Sequence, residues 1–210
     1  MIKVHHLNNS RSQRVLWLLE ELGLDYEIVP YQRDTTTHRA PPELRAIHPL
    51  GKSPVIEDGD LVLAESGAII EYLIDTYGKG ALAPARGTRA HTRYLYWSHF
   101  AEGTAMMQLL IRLFLGFAGD SAAPVRAMVD AEITRMLAYL EAEIAEGGFF
   151  VGDGLTGADI NMSFPLEAAA ARGGLNAESC PKLAALLQRL QARPAYQRAL
   201  ARGGPYELMR

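Results

Sequence analysis

The chain of 210 residues is about half apolar (49 %) and one-fifth charged (21 %), with a formal net charge of −3. Such a balance excludes a disordered polymer and a dominant basic field for nucleic acid or anionic lipid, and leaves room for one large or two small domains with a real core. The single cysteine, Cys180, excludes an internal disulfide and suits a reducing, cytoplasmic setting.

The chain opens on Met-Ile-Lys-Val, which reads as a strand and carries no charged-then-apolar leader. A strand over Ile2–Leu7 turns sharply, through Asn8, Asn9, Ser10 and Arg11, into a helix whose apolar face is Val15, Leu16, Leu18, Leu19 and Leu22. Gly23 ends that helix. Tyr26 to Tyr31 predicts a short strand closed by Pro30, and residues 42–47 a short helix. Pro54-Val-Ile-Glu and Leu61-Val-Leu-Ala flank the turn dipeptide Asp58-Gly59, a hairpin signal. Ile70, Leu73, Ile74 and Tyr77 continue as a helical face ending at Gly78. The order β-α-β-α-β-β-α is a small α/β layer fold.

After a Gly/Ala/Pro-rich connector the strand signals cease. The apolar run Ala105–Ala118, broken by Gln108 and Arg112, is too short to span a bilayer and predicts a buried helix, so no membrane partner is expected. Ile133, Met136, Leu137, Leu140 and Ile144 form one helical stripe, and Leu183, Leu186, Leu187 and Leu190 another. Thr156-Gly-Ala-Asp159 has the spacing of a capping box. The expected plan is an α/β domain over 1–79, a linker over 80–87 and an all-helical domain over 88–210.

Several motif matches fail on context. Gly152-Asp-Gly-Leu-Thr-Gly157 lacks the strands a dinucleotide site requires. Leu50-Gly-Lys-Ser53 lacks the first glycine of a P-loop, because Ala46 stands there. His5 and His6 point to opposite faces of a strand and cannot share one ion. The remaining histidines lack ligand spacing, so no metal is expected.

Other residues suit an anionic, amino-acid-like ligand. Ser10-Arg-Ser-Gln13 is a capping-box spacing, yet a hydroxyl has one hydrogen and two lone pairs, so it can accept from a helix N–H and donate outward. On spacing alone, capping is the first reading. Glu65-Ser66 starts a helix directly after a strand: an acid for an ammonium group, with free N–H groups for a carboxylate. Ser53-Pro54 opens the hairpin strand and, with a cis bond, offers its backbone to a peptide ligand. Lys52 and Arg39 are nearby candidates for a second carboxylate. Tyr94, Tyr96, Trp97, Phe100, Met106 and Met107 crowd the segment after the connector, mostly as core.

In this order, the segments HLNNSRSQRVLWLLEELGLDYEIVPYQRD, PPELRAIHPLGKSPVIEDGDLVLAES, LTGADI and ARPAYQRAL resemble the cytosolic glutathione transferases, in particular a bacterial and fungal branch with serine near the first helix. The resemblance spans nearly the whole chain. It implies a thioredoxin-like N-terminal domain, an all-helical C-terminal domain, glutathione as cosubstrate, a small-molecule electrophile and a homodimer. Ser10 matches the serine that binds the glutathione sulfur in theta-like members, and Asn9 the position used by zeta- and phi-like ones. Ser53 would hold the cysteinyl backbone, Glu65 and Ser66 the γ-glutamyl group, and Lys52 and Arg39 the glycyl carboxylate. Asp159 matches a structural capping acid. The implied activity is conjugation of glutathione to small electrophiles. The alternatives are a glutathione-dependent peroxidase or disulfide reductase, and a non-catalytic binding member of the same fold.

Overall fold

The computed structural model describes residues 1–145 and 148–208, and the chain divides into two compact units. The first comprises 1–82 together with 191–207, and the second 83–190 with residue 208 onward. The sequence-based boundaries had assigned everything after residue 87 to one helical domain, so the two divisions differ over 191–207.

In the first unit, β1 (Ile2–Leu7), β2 (Tyr26–Tyr31), β3 (Val55–Asp58) and β4 (Leu61–Ala64) form a sheet of order β2-β1-β3-β4. β1 and β2 run parallel, and β3 pairs antiparallel with both β1 and β4. Pro30, which lacks an N–H, is tolerated because β2 is an edge strand. The hairpin pairs Asp58 with Leu61, so its two-residue turn is Gly59-Asp60, one position later than the expected dipeptide. Gly59 has φ +62°, a conformation that favours glycine.

Two helices anticipated by apolar periodicity, α1 (Ser12–Leu22) and α3 (Ser66–Tyr77), bury Val15, Leu16, Leu18, Leu19, Ile70, Leu73 and Ile74 with the core residues Val4, Val55 and Ile56. Between them α2 (Leu44–Ile47) is a single turn. Burial of these side chains stabilises the unit by about 1.5–3 kcal/mol each.

The second unit is helical. α4 (Arg89–Phe100) runs through a π-helical turn (Ala101–Met106) into α5 (Met107–Phe117), followed by α6 (Ala123–Glu143), α7 (Gly157–Arg172) and α8 (Pro181–Gln191), with α9 (Pro194–Gly203) closing the chain's helices. The expected stripes on α6 and α8 are buried. Tyr94, Trp97 and Met106 are core, whereas Tyr96 and Met107 are exposed.

The expectation of a buried helix over 105–118 is corrected. On α5 only Leu109 is buried, while Met107, Ile111, Phe114 (62 % exposed) and Phe117 (65 % exposed) face outward. The run also belongs to a longer continuous helix, Arg89–Phe117, which by length and composition alone is apolar enough to cross a membrane. That helix buries Tyr94, Trp97, Ala101, Ala105, Met106 and Leu109 within the unit, while most of its apolar stretch stays uncovered.

α9 belongs to the first unit, where it packs on α1. Tyr196 meets Trp17 edge-on with ring centroids 5.4 Å apart. Glu21 accepts from Arg193 Nε at 2.5 Å and Nη2 at 2.9 Å, and Glu20 accepts from Arg198 and Arg202 at 2.7 and 3.0 Å. At Gly203 an added Cβ would lie 2.9 Å from Leu16 Cδ1 and 3.0 Å from Gln13 Oε1, so a larger residue would have to push those two side-chain ends aside.

Candidate active site

The sheet topology gathers the predicted site residues at one end. The C-terminal ends of β1 and β2, the N-terminal end of β3 and the C-terminal end of β4 lie together, because β3 alone runs against the other three. Residues 8–11, the segment after Tyr31 that contains Arg39, the Lys52-Ser53-Pro54 entry to β3, and Glu65-Ser66 after β4 therefore share that end of the sheet.

The turn after β1 is built by backbone geometry and by remote donors. Asn9 has φ +51°, an uncommon conformation to which asparagine is better suited than most residues. Arg33 clamps the turn: its N–H donates to Asn8 Oδ1 at 2.8 Å, its Nε to the Asn8 carbonyl at 3.2 Å and its Nη2 to the Asn9 carbonyl at 3.1 Å. Burial and the nearby Arg11 lower the Arg33 pKa, but an arginine so placed remains a cation beside the turn. Asn9 Oδ1 accepts from the Glu207 N–H at 2.7 Å, which identifies the oxygen end of the amide.

The capping box expected at Ser10 does not form. The N-cap of α1 is Arg11, in helical conformation, so the helix begins one residue later than the spacing implied. Ser10 Oγ accepts the N–H of Ser12 at 3.2 Å, and Gln13 is buried with its amide atoms unpartnered instead of reaching back. Ser10 Oγ lies 2.8 Å from Ser12 Oγ, which lies 2.8 Å from His6 Nδ1. Ser12 is fully buried and Ser10 is 4 % exposed, so of the two hydroxyls Ser10 is the one nearer solvent.

Ser53 precedes Pro54 through a cis peptide bond. Its hydroxyl donates to the His5 carbonyl at 2.7 Å and accepts the Leu7 N–H at 3.2 Å, tying the β3 entry to β1. Ser10 and Ser53 come together, their hydroxyl oxygens 3.5 Å apart. Ser66 is the first residue of α3 and is buried; the N-cap is Glu65, exposed, with φ +70°. A non-glycine residue there is strained, at a cost on the order of 1–3 kcal/mol. Lys52 and Arg39 are exposed, and the Arg39 N–H donates to Thr37 Oγ1 at 3.4 Å.

Sequence reasoning missed Arg33, His6 and Glu207, which hold the turn from outside it. Asp159 takes the structural part expected of it. Fully buried, it closes a capping box with Thr156 and accepts the Phe150 N–H at 2.9 Å. Cys180 is buried and unpaired. Among the described residues no group of three or more His, Cys, Asp or Glu side chains is placed to hold a metal ion.

A mixed four-stranded sheet with helices, a turn bearing hydroxyls at the end of its first strand, and a following helical unit define the thioredoxin-like class that carries a helical C-terminal domain. Residues 1–75 match the family model for the glutathione S-transferase N-terminal domain, and residues 102–194 that for the C-terminal domain. Glutathione S-transferase 1 of Saccharomyces cerevisiae is 35 % identical over 217 aligned residues, covering 93 % of this chain and 92 % of that protein. A solved glutathione S-transferase from Actinobacillus pleuropneumoniae superposes with a TM-score of 0.88 at 38 % identity, covering 97 % of this chain and 93 % of that one. A sphingomonad glutathione S-transferase complexed with glutathione is 26 % identical with a TM-score of 0.78, covering 96 % and 98 %. The chain belongs to the glutathione S-transferase family.

Proposed function

We propose that this chain is a glutathione transferase that binds glutathione at the C-terminal end of β1 and ionises its thiol for attack on small hydrophobic electrophiles. The observation that carries the reading is the meeting of the Ser10 and Ser53 hydroxyls, 3.5 Å apart, at the end of the sheet that also bears Glu65 and Ser66. Ser10 is the candidate thiol-activating residue. Asn9, Arg39, Lys52, Ser53, Glu65 and Ser66 are the candidate contacts to the tripeptide, in the glutathione-binding domain over 1–79.

The chemistry asked of Ser10 is modest. A thiol of pKa near 8.5 is only a few per cent ionised at neutral pH. Lowering that pKa by about two units takes about 2.7 kcal/mol, within reach of one charge-assisted hydrogen bond together with the positive end of α1. The Arg33 cation adds to the same field. Sulfur, not serine oxygen, is the nucleophile: the S–H proton leaves to solvent, the thiolate forms the new C–S bond, and the electrophile's leaving group departs with its bonding pair, as chloride does from a chloronitrobenzene. We further propose a cytoplasmic homodimer.

Asn9 favours a second reading, glutathione-dependent peroxide or disulfide reduction. Its amide oxygen takes the Glu207 N–H, so its NH2 end is the one turned away from that contact. Such a donor would suit a sulfur intermediate as readily as Ser10. The test is calorimetric titration with glutathione, with the same sample assayed against a chloronitrobenzene and an organic hydroperoxide. Binding with turnover supports the enzyme, and the ratio of the two rates chooses between conjugation and reduction. No binding at millimolar glutathione overturns both and points to a non-catalytic binding member of the fold.

A further inference from the structure

Beneath the turn a chain of hydrogen bonds runs from Ser10 to the end of α9, and its direction follows from valence. The Gly203 carbonyl can only accept, so His6 Nε2, 3.1 Å away, carries the ring hydrogen. Burial outweighs that bond and holds the His6 imidazole below its usual pKa, so at neutral pH the ring is uncharged and Nδ1 is bare. Ser12 Oγ, 2.8 Å from Nδ1, supplies the hydrogen that Nδ1 accepts. Its other acceptor, the Leu7 carbonyl, is farther off at 3.4 Å. With its one hydrogen committed to His6, Ser12 Oγ can meet Ser10 Oγ only as an acceptor. The Ser10 hydrogen then has two acceptors, Ser12 Oγ at 2.8 Å and Ser53 Oγ at 3.5 Å, and the shorter contact draws it inward, toward Ser12.

We propose that His6 is a positioning residue which, through Ser12, sets how readily Ser10 gives its hydrogen to a bound thiolate. The inference rests on the reading of Ser10 as the thiol-activating hydroxyl. A ligand thiolate takes the Ser10 hydrogen only by breaking the Ser10–Ser12 bond. The orientation of that hydroxyl is thus held from the far end of the chain, where residue 203 is a glycine and a Cβ would press on His6 Nε2 at 3.3 Å. Without the Nδ1 acceptor, the Ser12 hydrogen is left with Ser10 Oγ at 2.8 Å and the Leu7 carbonyl at 3.4 Å, and the shorter contact favours Ser10 Oγ. Ser10 would then donate outward with no inner bond to break, and the chain Ser12→Ser10→sulfur would strengthen each link.

The sign of the effect is therefore opposite to that of ordinary damage to an active site. In His6→Leu the pKa of enzyme-bound glutathione, read from its ultraviolet thiolate absorbance across pH, should fall by about half a unit to one unit, the equivalent of one ordinary hydrogen bond. His6→Asn, whose amide oxygen can accept from Ser12, should stay near the wild-type value. Ser12→Ala, which removes the inner acceptor and needs no change at the histidine, should fall like His6→Leu, and the double variant should fall no further.

A bound-thiol pKa that rises or stays put in both His6→Leu and Ser12→Ala overturns the proposal, as does His6→Asn behaving like His6→Leu. Nitrogen NMR of the His6 ring in the free wild-type protein tests the chain without ligand: the neutral Nε2–H tautomer is expected, and an Nδ1–H tautomer overturns it. Wild-type protein that binds no glutathione overturns the underlying reading, and the positioning role with it, whatever the tautomer. Wild-type protein that binds and ionises glutathione, with variants that follow no such pattern, sinks the positioning role alone.

Discussion

Two helix starts in this protein use the same chemical group for different ends. At the start of α7, Thr156 and Asp159 satisfy one another, and the remaining carboxylate oxygen takes the Phe150 N–H, all within ten residues of chain. At the start of α1, Ser10 is not the cap. Its surroundings come from four distant places: Arg33, Ser53, Gly203 acting through His6, and Glu207 at the neighbouring Asn9. The first start is closed on itself and has nothing left to offer a ligand. The second is held from outside, and its hydroxyl hydrogen can change partner. A serine or threonine at a helix start is structural when its valences close locally, and a candidate for chemistry when they depend on remote groups.

The largest effect should come from breaking the closed start. Asp159→Ala removes a fully buried carboxylate that satisfies two backbone N–H groups and a hydroxyl, and should cost about 3–5 kcal/mol in chemical unfolding. Any folded fraction should bind glutathione with unchanged affinity per folded molecule, measured by calorimetry on the soluble protein. A large change in that affinity with little loss of stability would invert the comparison.

A smaller effect should come from loosening the remote clamp. Burial opposes ionisation of Glu21, but the hydrogen bonds from Arg193 and Trp17 and the arginine charges more than offset it, leaving the carboxyl below its ordinary range. A carboxylate whose folded-state pKa is depressed stabilises the fold above its unfolded-state pKa, and that contribution is lost as pH falls through the folded value. Glu21→Gln should therefore lower stability by about 1–2 kcal/mol near neutral pH. The gap from wild type should close on acidification below the ordinary glutamate pKa of about 4.3. Thermal melts of the two proteins across that window check the sign, and a gap that persists in acid would mean the pair acts through packing.

How much of this was legible from residues alone divides along the same line. Strands and helices with a regular apolar period, such as Ile2–Leu7, the α3 face and the α6 stripe, could be read because each buries one face against its neighbours. The Thr156–Asp159 box could be read because its partners are three residues apart. The return of α9 to the first unit could not, since Glu20 and Glu21 meet arginines 172–182 residues away. A hint existed: two acids in the last turns of α1 oppose the helix dipole and call for cations, which Arg193, Arg198 and Arg202 supply. The α1 start was misread by one residue because Asn9 takes a positive φ and defers the helix to Ser12. The burial of residues 105–118 was misread because apolar composition does not say whether a helix face is covered.

The smallest stability effect belongs to Ser10 itself, and it separates the two kinds of helix start most sharply. Ser10→Ala removes the acceptor for the buried Ser12 N–H and one partner of the Ser12 hydroxyl, a loss of about 1 kcal/mol, comparable to an ordinary cap. If Ser10 served only the fold, that loss would be the whole effect. If it donates to bound sulfur, the pKa of bound glutathione should rise by about one to two units, and turnover with a chloronitrobenzene near neutral pH should fall about tenfold or more, while glutathione affinity changes little. Raising the assay pH above the new pKa should restore much of the rate, because the missing thiolate is then supplied by the solvent. Rate lost and not recovered at high pH would mean that the serine orients the sulfur instead of ionising it. An unchanged thiolate absorbance would transfer the activating role to Asn9, whose half-buried amide lies next to Ser10 in the same turn.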